Sequence, residues 1–577
     1  MEIWPQSTIG YPAADVKFRF VWTMPLTISP HDHNTVYAGS QFVHRTTDGG
    51  KSWQVISPDL TLNDKSKQQI SGGLTPDNIG VEYAGVVFAI AESPLKAGVI
   101  WAGTNDGQVQ VTRDGGKTWT NVTASIPGMP SWGTVSNIEP SRYDTATAYI
   151  TVDAHQANNR DPFIYKTADY GRSWKPIVNG LPRTPMAYAH VVREDPVRRG
   201  LLYLGTESGL YVSFDEGGGW QPLQSNLPHA PVYWLVIQEH FNDLVVSTYG
   251  RGFWILDDIT PLEQLTADAR AGAAYLFKPR PAYRFRLNTT PNQMTDDPTA
   301  GQNPPYGASI NYWLKTAQTD SATIAIADAG GQTVRTFKGP AKAGVNRAWW
   351  DLRNEDSKEA RLRTPVPYAP DVRLGPDGTR AAAAIGRMSL LMPPGTYTVK
   401  VRVGGGQELT QPLVVRKDPN SGGSEEEIQS QTKLLADLQG DLSAAIDMVN
   451  QMELVRSQLL GLRAVLPAEL RAGADSLERR FSGLEGELHD LRITGRGQDN
   501  IRWPTRAAGQ ITYLTQGIAS SDFAPTAQQR DVRQLLGGQV QTIRARLDTL
   551  VNQDLAQFNG RLKERSVGVV VAGTESK

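Results

Sequence analysis

The sequence predicts a mainly β protein with an α-helical C-terminal region: a β-propeller first, an Ig-like β-sandwich next, an antiparallel helical bundle last. Three observations carry this. One short motif recurs four times before residue 262. Alternation of period two begins near Gly307, and apolar residues at seven-residue spacing begin after Asp418.

The motif is Ser/Thr-x-Asp-x-Gly-x-x-Trp. It stands as TTDGGKSW (Thr46, Asp48, Gly50, Trp53), TRDGGKTW (Thr112, Asp114, Gly116, Trp119), TADYGRSW (Thr167, Asp169, Gly171, Trp174) and SFDEGGGW (Ser213, Asp215, Gly217, Trp220). Repeats roughly 50 residues apart suit four-stranded blades with loops of varying length. Each fixed residue has a structural task. The carboxylate accepts from backbone N–H groups in a tight turn, and the hydroxyl adds a bond. Glycine supplies a positive φ, and tryptophan plugs the space between neighbouring sheets. This is the Asp-box, and the four aspartates are expected to hold turns rather than to catalyse or bind metal.

The same strand order surrounds each box. The first strands are Pro25–Ser29, Val86–Ala91, Val135–Glu139, Ala189–Arg193 and Val232–Gln238. The fifth unit has three strands and no box; its fourth is expected from Ala274–Phe277 or from Val16–Phe20. The result is a propeller of four full blades and a partial one over 1–262. It either closes as five blades or is part of a larger ring.

Residues 263–306 are rich in Pro, Asn, Thr and Asp and read as a linker with a closing strand. Segments ASINYWLK, ATIAIADAGGQTVRTF, NRAWWDLR and PPGTYTVKVRV place the sandwich at 307–420, interrupted by a loop over 354–386. A helical bundle fills 421–577. Ser424 with Glu427, and Thr526 with Gln529, form capping boxes. Ile428, Leu435, Leu442 and Val449, with Leu438, Ala445, Met452 and Leu459, mark one buried stripe. Val532, Leu536, Ile543, Leu547 and Leu550 mark another, with two shorter helices near 467–492 and 504–519.

Lysine plus arginine number 58 against 59 acidic residues, without a basic stripe, which disfavours a nucleic-acid partner. There is no cysteine, so disulfides and thiolate chemistry are excluded. No apolar run reaches the ~18 residues of a membrane span. The first residues show no basic-then-apolar export signal. HExxH, GxSxG, P-loop and dinucleotide motifs are missing, and no cofactor or metal is expected.

The segments Phe20–Thr61 and Ser247–Leu262, with the four boxes, resemble sortilin-type (VPS10-like) BNR/Asp-box propellers of large secreted bacterial proteins labelled glycosyl hydrolase. The resemblance extends through the sandwich and the helical tail. It implies an extracytoplasmic location. Family members carry several hundred more propeller residues upstream, so it also implies a C-terminal portion, a split gene or a shortened relative.

Ligands are expected on the propeller face opposite the boxes. Loops there bring the candidate carboxylates Asp106, Asp153 and Glu207, and the candidate ligand-binding residues Glu82, Trp132, His155, Tyr188, His229, Tyr249 and Arg251. Aromatic faces beside acids suit a sugar-binding groove. Three readings follow: a binding or scaffold protein with a glycan or protein ligand; a glycoside hydrolase using a carboxylate pair; or a subunit whose missing blades come from another chain. A sialidase is disfavoured, since Arg251 is the only arginine these loops offer.

Overall fold

The computed structural model describes residues 2–286, 301–369, 371–383 and 385–573. The chain is mostly β-sheet with a helical C-terminal region. It forms two compact units, divided at Ala267 and Asp268.

The first unit holds five antiparallel sheets in sequence order. Their inner strands are Leu26–Ile28, Val87–Glu92, Thr134–Pro140, Ala189–Glu194 and Val232–Gln238. Four sheets have four strands and the fifth has three. Consecutive sheets bury apolar faces against each other. Tyr149 and Ile164 of the third pack with Val192, Leu202 and Leu204 of the fourth. Val191 and Tyr203 of the fourth pack with Leu235 and Val246 of the fifth.

The boxes tie the outer turns as their chemistry requires. Asp48 accepts from the Ser52 amide at 3.0 Å and the Thr46 hydroxyl at 2.8 Å, while the Gly50 amide donates to Thr46 Oγ1. The same bonds recur at Asp114, Asp169 and Asp215. Gly116, at φ 97°, lies where an added Cβ would meet the Ile56 carbonyl oxygen at 2.4 Å.

The fifth sheet corrects one expectation. Its last strand, Phe253–Leu256, has no fourth strand beside it among the described residues. Ala274–Leu276 instead pairs with Ala308–Leu314 in the second unit. Phe18 and Phe20 do not form a strand but lie against His44 of the first sheet.

In the second unit, Ala274–Leu276, Ala308–Leu314 and Gly344–Trp350 form one sheet. Ala282–Arg284, Leu409–Lys417, Gly395–Arg402, Ala322–Ala327 and Thr333–Gly339 form a second. One core including Ile310, Tyr312, Trp350, Ile324, Val399 and Leu413 lies in both. The linker was expected to hold one strand closing the propeller; it holds two, at 274–276 and 282–284. They alternate apolar residues and join these sheets; residues 287–300 of the linker lie outside the described residues.

Helices Glu425–Leu462, Ala468–Leu488, Ala507–Ala519 and Ala527–Thr549 follow, and both capping boxes are formed. The first expected stripe is buried throughout, from Ile428 to Leu459. The second begins at Leu536, because Val532 is 42% exposed. There the helix meets Asp441 through Arg533 rather than an apolar surface. Glu453, fully buried, accepts from the Thr364 hydroxyl at 2.7 Å and so anchors the 354–386 loop.

Candidate functional site

An antiparallel strand alternates its side chains between two faces only while its register holds. In four sheets it slips by one residue near the same end of the inner strand. Val87 pairs with Thr104 and Ala89 with Gly103, leaving Phe88 unpaired. The same slip leaves out Ser136, His190 and Tyr233 in the third, fourth and fifth sheets. A β-bulge re-aims the side chain of its extra residue. All four residues line one cavity of about 1190 Å³ within the first unit.

The His190 bulge is pinned. Its carbonyl accepts from the Ser136 and Thr151 hydroxyls, each at 2.9 Å. Its imidazole is buried, and Nε2 donates to Glu207 Oε2 at 2.9 Å. Nδ1 lies 3.8 Å from Asp153 Oδ2. Asp153 Oδ1 also accepts a hydrogen bond from His155 Nδ1 at 2.7 Å. Two carboxylates thus flank one imidazole, and one of them orients a second.

Rings continue the line across three sheets. His155 stacks on Tyr188 at 5.0 Å, and Tyr188 meets His190 edge-on at 5.2 Å. His190 stacks on Tyr233 at 4.1 Å, and Tyr233 lies 5.6 Å from Tyr249. Burial, with Glu207 as its hydrogen-bond partner, pushes the Tyr188 phenol above its ordinary value, so it stays protonated. Burial also raises Tyr233, aided by the charges of Glu207 and Asp153. Deeper on the wall, Arg193 pairs with Glu139 at 3.2 Å and lies 4.4 Å over the Trp234 ring. Burial raises the Glu139 carboxyl, and Arg193 opposes the shift.

The sequence-predicted residues divide. Asp153 and His155 line the cavity, Tyr188 and Tyr249 belong to the line of rings, and Glu207 holds His190. Glu82 also lines the cavity and accepts from Trp22 Nε1 at 3.1 Å. Asp106 is buried elsewhere, accepting from the Leu62 amide at 2.9 Å and from Thr104 Oγ1, which explains it as a tie between loops. Trp132 occupies a loop position with φ 57° outside the ring line. His229 is exposed, with Nδ1 3.1 Å from the Ser208 carbonyl. Arg251 is exposed at a turn where its carbonyl accepts from Trp254. Sequence reasoning missed His190 and Tyr233, which looked like ordinary strand residues. Aligning the four inner strands that slip on their slipped position is the signal that finds them.

Among the described residues no group of three or more His, Asp or Glu is arranged to hold a metal ion. None of the described helices is long and apolar enough to cross a membrane.

No protein-family model matches the chain, and no curated protein does. Solved structures show distant likeness. The GH74 xyloglucanase from Xanthomonas campestris is 20% identical over 42% of this chain and 37% of its own, with a TM-score of 0.32. The GH74 enzyme of Niastella koreensis is 14% identical over 71% and 55%, at 0.31. PorZ, a surface component of the type-IX secretion system of Porphyromonas gingivalis, is 12% identical over 68% and 51%, at 0.30. This chain therefore spans between a third and just over half of the length of these proteins. At such scores none of the three assigns a role to any residue here.

Proposed function

We propose that the first unit is an arc of β-propeller blades that binds a glycan or a protein ligand in its cavity. The two-sheet region, read as an Ig-like sandwich, and the helical bundle serve as spacer and assembly modules. The location proposed is extracytoplasmic, in line with the sortilin-type resemblance. The observation that carries the reading is the convergence of four bulge side chains, with Asp153 and His155, on one cavity, from which ring contacts run on to Tyr188 and Tyr249. Ring faces stack on sugars or apolar side chains, while Asp153 on the cavity wall accepts from hydroxyls or amines and Glu207 holds the His190 imidazole in place.

Binding is favoured over hydrolysis by what lies between the acids. A glycosidase needs two carboxyls with open space between them for a water or a sugar carbon. Here the His190 imidazole stands between Asp153 and Glu207, and Glu207 is engaged by its Nε2–H.

Calorimetric titration with panels of oligosaccharides and of peptides tests this. Tyr233→Ala and Glu207→Gln are each expected to weaken the ligand found at least tenfold, about 1.4 kcal/mol. Binding that survives both substitutions would remove the site. Release of reducing sugar, abolished by Glu207→Gln, would replace binding with hydrolysis.

A further inference from the structure

Each contact between consecutive sheets joins two different faces. The earlier sheet offers a forward face, such as Val191 and Tyr203 of the fourth. The later one offers a backward face, such as Leu235 and Val246 of the fifth. Among the described residues this contact is made four times, and one face of each kind is left over.

The forward face of the fifth sheet is uncovered. Val236, Phe253 and Ile255 share one side of its strands and are 47, 79 and 58% exposed. The backward face of the first sheet is also open along its inner strand. Leu26 and Ile28 are 63 and 61% exposed, whereas Ile90, Ile138 and Val192 on the next three backward faces are 6, 3 and 0%.

Box tryptophans show how a covered backward face is used. Trp119 and Trp220 donate their indole N–H to the preceding sheet, at the Ile56 and Ile177 carbonyls. Trp174 meets Trp101 of the preceding sheet edge-on at 5.9 Å. Trp53 holds the same position in the first box, and its buried Nε1, like that of Trp174, has no hydrogen-bond partner. Shape agrees as well. The outer part of the first sheet's backward face already carries Phe18 and Phe20 over His44, and among the described residues the fifth sheet has no outer strand.

We infer that the chain associates head to tail with a second copy of itself, the fifth sheet of one packing on the first sheet of the other. The occupant follows from continuity. The two open faces are the two halves of an interface the chain already repeats, and each copy carries one of each. Such a contact is heterologous, so it closes into a ring if the rotation allows and otherwise extends. It does not rest on the ligand proposed above.

Sedimentation velocity on the full chain, with two double variants, tests it. Val236→Asp/Ile255→Asp alters the forward face and Leu26→Asp/Ile28→Asp the backward face. All four positions are exposed, and circular dichroism checks that each variant folds. The wild type is expected at twice 63.1 kDa or in larger multiples. Each double variant is expected as a monomer, with dissociation at least tenfold easier. Mixing the two variants leaves one intact contact and is expected to restore a species of twice the monomer mass. A wild type that stays monomeric at ~100 µM, or oligomers that survive both variants, overturns the inference.

Discussion

Asp48 and Asp114 are exposed, yet their carboxyls are held at about 2. The Ser52 amide is the chief cause for Asp48, and the Thr118 hydroxyl for Asp114. An unfolded aspartate titrates near 3.9. A depressed folded value means that these bonds stabilise the fold above roughly pH 4 and are lost as pH falls toward 2. Asp48→Asn is therefore expected to flatten the acid limb of a stability–pH curve followed by tryptophan fluorescence. The box residues were fully legible because one turn needs each of them. The site was half legible. Asp153, His155 and Glu207 stood out as polar residues in loops. His190 and Tyr233 sat inside strands, where a change of register cannot be read from alternation.

At the scale of elements, strands and long helices followed their periods closely, since period decides which face is buried. What escaped was pairing between distant segments. Ala274–Leu276 has the composition of any short strand, and only the partner it meets tells which sheet it joins. Val532 continues an apolar spacing, but the segment opposite its helix is acidic. Box glycines make a sharper case. Gly116→Ala would force a side chain into φ 97° and onto the Ile56 carbonyl. A loss of about 1–3 kcal/mol is expected, measured by urea unfolding of the first unit.

At the scale of the molecule, each unit has its own core. The second unit's core includes Arg456, which pairs with Glu453 at 2.9 Å, Glu485 at 2.8 Å and Glu478 at 3.1 Å. Glu453 and Glu485 are fully buried, and burial, with Glu453 beside it, pushes the Glu485 carboxyl well up. Arg456→Met strands these acids and is expected to cost about 3–5 kcal/mol. Calorimetry should show the loss in the transition of the second unit, with that of the first unmoved. The uncovered faces were not legible at all, because Leu26 and Ile28 read like the buried Ile90 and Ile138. The bulges have a last consequence for how such a chain changes over generations. Phe88, Ser136, His190 and Tyr233 are the four residues their ladders do not pair, so variation there rewrites the cavity while the paired strands keep the fold. A library randomised at these four codons is the natural route to new binding specificities.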